Sequence, residues 1–166
     1  MLDELDILKP DVVIMGSAAS YDYDKAQWLE GSVRVLSRVS NNPSASVFVI
    51  AGTPSLGFDG PDCVARHFSG GEKIDREKCS KGNRLKDIKP IVQSLNQATS
   101  RFPNVHLLDL NDLVCPKGVC YAFDEQGVVV FRDTQHLTDS FVRTRVPLIR
   151  ERMAQYYKGL VASPVK

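Results

Sequence analysis

Two uninterrupted apolar tetrads, Val12-Val13-Ile14-Met15 and Val47-Phe48-Val49-Ile50, constrain the fold more than any other feature of the chain. Gly16 stops the first, and Gly52 with Pro54 stops the second. A strand with one wet face alternates apolar and polar residues. A continuous apolar run instead reads as a strand buried on both faces, the habit of parallel sheets. Between the tetrads, residues 24–39 carry Trp28, Leu29, Val33, Leu36 and Val39 at helical spacing, ending before Asn41-Asn42-Pro43. A second amphipathic pattern at 84–101 uses Leu85, Ile88, Ile91, Val92, Leu95 and Ala98, with Pro90 expected to kink or divide it. Residues 105–110 read as a third strand. Strand–helix–strand–helix–strand implies right-handed crossovers and a three-layer α/β/α fold with a parallel sheet. Ligands of such sheets bind beyond the carboxyl ends of the strands. That rule would gather Gly16-Ser17, Thr53-Pro54 and the segment of Asp133 and His136 at one rim.

The 166 residues are expected to form one domain spanning 1–166, with a loose tail at 159–166. A net charge of +1 gives no electrostatic footprint for nucleic acid or an acidic membrane. No apolar run approaches the roughly 20 residues of a membrane-spanning helix. The acidic start, Met-Leu-Asp-Glu-Leu-Asp, lacks the basic-then-apolar layout of a signal peptide.

Residues 53–82 are rich in Gly, Pro and charge and show no clear periodicity. A loop of that length is usually functional or pinned. The four cysteines fall into two pairs, Cys63 with Cys79 and Cys115 with Cys120. Pro116 and Gly118 favour a turn that brings the second pair together. Zinc pairs more often show two-residue gaps with a nearby His, so disulfides are favoured over metal. A Cys63–Cys79 bridge would pin the long loop. Disulfides imply an oxidising compartment. The missing signal peptide is then explained if this chain is a piece of a longer exported protein.

The chemistry centres on Phe131-Arg132-Asp133-Thr134-Gln135-His136-Leu137-Thr138. Tyr121 to Phe131 reads as a hairpin turning at 124–127, its apolar run Val128–Phe131 leading into this stretch. Thr138 reads as the N-cap of a last helix running to about Tyr157, with Pro147 expected to kink it. A short turn can bring the Asp133 carboxylate to Nδ1 of His136. Nε2 is then free to take a proton from a hydroxyl nucleophile. The bare pattern is also common by chance, and an Asp before a helix is often only a cap. Ser17 follows a strand and a glycine and could act as a nucleophile, though a small pocket-wall residue is the plainer reading. Arg66 and His67 could bind a sugar or carboxylate, against a plain reading as exposed loop charge. His106 reads as structural. Tyr21, Tyr23 and Trp28 could form a sugar-stacking wall, against a plain reading as packing.

In their order and spacing these blocks resemble the SGNH (GDSL-type) hydrolase family, and more narrowly the SGNH domain fused to acyltransferase-3 membrane O-acetyltransferases. The matching residues are Pro10 to Ile14, then Val47 to Pro54 with Cys63 and Arg66, then Asp133-x-x-His136-Leu137-Thr138. The resemblance implies a flavodoxin-like SGNH fold and a Ser-His-Asp triad with His136 as base and Asp133 as its partner. It also implies a periplasmic or extracytoplasmic setting within a membrane protein, and acyl chemistry on bacterial surface polysaccharide. An acylated sugar or acyl donor would be the substrate, the parent acyltransferase domain a partner, and no metal or organic cofactor would be needed. Gly16-Ser17 fall on the oxyanion side of the pocket, and Arg66 on the substrate side. The family's nucleophile lies in a Gly-Asp-Ser block upstream of the Pro-Asp-Val-Val strand, and this chain begins too late to contain it. The Gly-x-Asn-Asp block falls at Gly16-Ser17-Ala18-Ala19, without its Asn. The fold is therefore expected to be incomplete on its N-terminal side, with Val12–Met15 at an open edge prone to self-association. The competing reading is a non-catalytic glycan-binding or interaction module.

Overall fold

The structure is a computed structural model that describes residues 2–67 and 75–160. Residues 161–166 of the tail expected at 159–166, and residues 68–74 of the long loop, lie outside the described residues; Lys158–Leu160 form a 3-10 turn. In chain order the elements are α1 (Leu2–Leu8), β1 (Val12–Gly16), α2 (Lys25–Val39), β2 (Ser46–Ile50), α3 (Gly60–His67), β3 (Ser80–Lys81), α4 (Leu85–Thr99), β4 (Val105–Leu108), α5 (Asn111–Val114), β5 (Cys120–Tyr121) and α6 (Asp139–Ala154). The contacts sort them into two compact units. One comprises Met1–Gly52, Lys89–Asp109 and Ile149–Lys166, the other Thr53–Ile88 and Leu110–Leu148.

The first unit is the expected parallel sheet, in the order β1-β2-β4. Its register aligns Val13 with Val47 and Val105, and Met15 with Val49 and Leu107. These side chains share one face and pack with Trp28, Leu36 and Val39 of α2 and Leu95 and Ala98 of α4. Ile14, Phe48 and His106 share the opposite face. Phe48 is fully buried there, while Ile14 is 56% exposed. The tetrad at 12–15 is therefore not buried on both faces as its composition suggests. It is an edge strand, and the central β2 is covered on both sides. Asp24 caps α2: its carboxylate accepts from Gln27 N at 2.8 Å, and its own N–H donates to Gln27 Oε1 at 2.9 Å. Helix α1 was not foreseen; Leu2 and Leu5, three apart, pack on the core.

Neither proline splits its helix. Helices α4 and α6 run unbroken through Pro90 and Pro147. Each proline removes the donor for the carbonyl four residues back. Those residues, Lys86 and Arg143, are exposed, so water can serve the carbonyls.

The second unit is irregular. Its ladder among the described residues is an antiparallel pair of two-residue strands, Ser80 with Tyr121 and Lys81 with Cys120. Its core joins Leu56, Val114, Ala122, Val130, Phe131 and Phe141 to two disulfides, Cys63–Cys79 and Cys115–Cys120. The expected pairing is thus observed, and Cys63–Cys79 bridges the ends of the long loop. That loop is not featureless as its sequence suggests. It contains α3, a 3-10 turn at Arg76–Cys79 and β3. With eight residues and only Gly60 and Cys63 buried, α3 leaves little periodic signal. The hairpin turns where expected: Asp124 Oδ1 accepts from Gln126 N and Val128 N, and Gly127 takes φ +82. Its arms make only single bridges, Phe123 to Val129 and Phe131 to Leu137, so Val128–Phe131 is not a regular strand.

Candidate functional site

Arg132 N donates to His136 O at 2.9 Å, and Thr138 N to Val130 O at 2.9 Å. These bonds and the Phe131–Leu137 bridge close residues 132–137 into a tight loop. Thr138 then starts α6 as expected: its Oγ1 accepts from Phe141 N at 3.1 Å and donates to Val129 O. A second support comes from the segment after β2. Leu56 N and Ser55 Oγ both donate to Thr134 O, at 2.7 and 3.1 Å. Arg84 Nε in turn donates to Ser55 O. Ser55 and Arg84 were missed by the sequence reading, because each side chain reaches a backbone carbonyl far along the chain, a contact that leaves no spacing in the sequence. Gly60 is required by space: a Cβ there would lie 3.1 Å from Phe131 O.

Within this loop Asp133 uses both oxygens. Oδ1 accepts from the backbone N–H of Gln135 and of His136, each at 2.8 Å. Oδ2 lies 2.7 Å from His136 Nδ1. Those backbone donors, His136 first and Gln135 second, hold the Asp133 pKa down at about 2. The carboxylate is therefore ionised at neutral pH and has no proton to share. The proton between the two side chains must sit on Nδ1, which leaves Nε2 of a neutral ring as the acceptor. Arg132 Nε lies 3.8 Å from the same Oδ2. The His136 side chain is 57% exposed, so the ring is open to an incoming group. The pair can orient a base and stabilise the cation it becomes, two of the three duties of a Ser-His-Asp triad.

The other candidates have their own settings. Gly16 and Ser17 end β1 in the first unit, and both are exposed. Arg66 lies on α3 and is held by Asp62, whose backbone and carboxylate oxygens are each 3.3 Å away. Cys63, His67 and Cys79 bring possible ligand atoms within 4.8 Å of one another. The two sulfurs are bonded to each other, so neither is available as a thiolate. His106 stacks on Tyr156 with ring centroids 4.3 Å apart, and burial lowers its pKa. That is the structural role its strand position suggests. Tyr21, Tyr23 and Trp28 do cluster, with centroids 5.7 to 6.4 Å apart. No helix among the described residues is long and apolar enough to cross a membrane.

Residues 1–151 match the family described as the SGNH domain (fused to AT3 domains). No curated protein matches the chain. Among solved structures, the fold is similar to that of the Salmonella ser. Paratyphi A lipopolysaccharide acetyltransferase periplasmic domain, with a TM-score of 0.66 at 13% identity. The match covers 89% of this chain and 60% of that one. The chain thus spans about three fifths of that domain, and at this identity the likeness concerns the fold.

Proposed function

The chain belongs to the SGNH domains fused to acyltransferase-3 (AT3) domains, and from that premise we propose that it carries the His136–Asp133 half of a Ser-His-Asp triad for acyl-ester chemistry on bacterial surface polysaccharide. One observation carries the reading: His136 Nδ1 lies 2.7 Å from an Asp133 carboxylate that two backbone N–H groups keep ionised.

In the proposed reaction a serine hydroxyl attacks the ester carbonyl as His136 Nε2 takes its proton. The imidazolium, stabilised by Asp133, returns that proton to the departing alcohol and leaves an acyl-serine. Water or a sugar hydroxyl then loses its proton to Nε2 and attacks the acyl carbon, and serine is regenerated. Water as acceptor gives hydrolysis and a sugar hydroxyl gives transfer. The two disulfides suit an oxidising, extracytoplasmic compartment, and the acyltransferase-3 association suggests a membrane protein as parent. The similar fold of a periplasmic acetyltransferase domain is consistent with that setting.

The competing reading is a non-catalytic glycan-binding or interaction module. Hydrolysis of a short-chain aryl acetate separates the two. The 166-residue chain is expected to be inactive, and a version that includes a Gly-Asp-Ser block upstream to be active. His136→Ala should lower the activity of the longer version by roughly 10³-fold or more. A longer version without His136-dependent turnover would favour the module. Comparable His136-dependent turnover by the 166-residue chain would mean that the nucleophile lies within it, with Ser17 the first residue to mutate.

A further inference from the structure

The loop between β1 and α2 builds a second feature that the proposed chemistry does not use. Tyr23 N donates to Tyr21 O at 2.9 Å, a tight turn that sets the two rings 5.7 Å apart. The Asp24–Gln27 capping box fixes the start of α2 directly afterwards, and Trp28 follows on its first turns. Eight residues thus hold three rings in mutual contact by local bonds alone. Packing explains Trp28, which is 7% exposed, but not Tyr21 and Tyr23, each 55% exposed.

All three rings line one cavity of about 270 Å³ in the first unit. That is near the lower end of small-molecule sites, roughly 300 Å³. Its floor is apolar, from Met15, Val49 and Leu95, and Ser17, Gln27 and Ser32 add polar groups to its lining. Arg34 is the one charged side chain among the lining residues, which disfavours a cationic occupant.

We propose that this cavity binds one pyranose ring of a neutral or acidic glycan. The ring's C–H faces lie against Tyr21 and Tyr23, whose π-faces are electron-rich. The ring hydroxyls meet the polar side chains of Ser17, Gln27 and Ser32. An aliphatic chain would satisfy the floor but not the polar lining. The inference rests on the glycan chemistry proposed above, for which it names a binding subsite.

Trp28 is the only tryptophan in the chain, so its fluorescence reports on this cavity alone. The 166-residue protein is titrated with the methyl glycosides of glucose, galactose, mannose and glucuronic acid into the high millimolar range, and separately with octanoate. At least one glycoside should change the emission saturably. Tyr21→Ala and Tyr23→Ala should each weaken that binding roughly three- to tenfold, the scale of an aromatic contact, while Tyr21→Phe retains it. His136→Ala should leave it unchanged. No response to any glycoside, saturation by octanoate alone, or equal affinity in the Tyr→Ala variants would each overturn the proposal. Failure of the triad reading is distinguishable, because it would appear as absent His136-dependent turnover with glycoside binding intact.

Discussion

The two units are held together by different physics. In the first, Phe48 and Val47 are fully buried within a parallel sheet whose register repeats every second residue on each face. In the second, the ladder is two residues long, and the core forms around four half-cystines with Leu56, Phe131 and Phe141. Periodic burial orders a chain without cross-links. A unit with almost no periodic structure must restrict its unfolded chain by other means, and disulfides do that. The difference matches what each unit presents. The regular unit offers a shaped cavity, and the cross-linked unit holds a short exposed loop in one conformation.

The largest test of this contrast is Phe48→Ala. Removing a fully buried aromatic from the central strand should cost about 3–5 kcal/mol, read as a lower urea midpoint at unchanged slope. A loss under about 1 kcal/mol would mean that the sheet is not what stabilises the first unit. Next is the pair Cys63→Ser with Cys79→Ser. The bridge closes a loop of sequence separation 16, worth about 3 kcal/mol in the chain-entropy model. Cys115→Ser with Cys120→Ser opens a loop of separation 5 and should cost less, about 2 kcal/mol. Hydrogen exchange should rise more at β3, β5 and the hairpin than at β2. Equal acceleration in both units would break the comparison.

The same contrast decides what the sequence could reveal. The tetrads, the helical spacing of α2 and α4 and the pairing of cysteines were all legible, because each follows a period or a spacing. The edge position of β1 was expected from the family resemblance and not from composition, which cannot say whether Ile14 has a neighbour above it. Helix α3 was hidden by its length and by a core contribution made through Cys63. At the candidate site, Asp133, His136 and the Thr138 cap were readable as a local motif. The strap from Ser55 and Leu56 to Thr134 O was not, because backbone donors are the same at every residue type but proline.

Thr138→Ala is a smaller probe of the second unit. It removes the acceptor for Phe141 N and the donor to Val129 O. The loss should be about 1 kcal/mol, the ordinary worth of an N-cap. Thr138→Ser should recover most of it, since serine keeps the hydroxyl. A serine variant as unstable as alanine would show that the methyl group, not the cap, is what Thr138 contributes.

The smallest effect, and the one nearest the proposed chemistry, is the titration of Asp133. Its folded pKa is about 2, below the ordinary 3.8. A depressed carboxylate pKa stabilises the fold fully above the unfolded value, and that stability is lost as pH falls through the folded value. The loop at 132–137 should therefore keep its geometry from neutral pH down to about pH 4. It should loosen only as pH approaches 2, when protonation weakens Oδ1 as an acceptor for the N–H groups of Gln135 and His136. The amide resonances of those two residues are the readout, with a midpoint near 2 expected and no such transition in Asp133→Asn. A midpoint at or above 3.8 would show that the backbone donors do not favour the ionised carboxylate, and Asp133 would then add an acid limb at about pH 4 to the pH–rate profile. A midpoint near 2 carries the opposite consequence. Asp133 then stays ionised throughout any working pH, and the acid limb of a pH–rate profile above pH 4 contains no contribution from it.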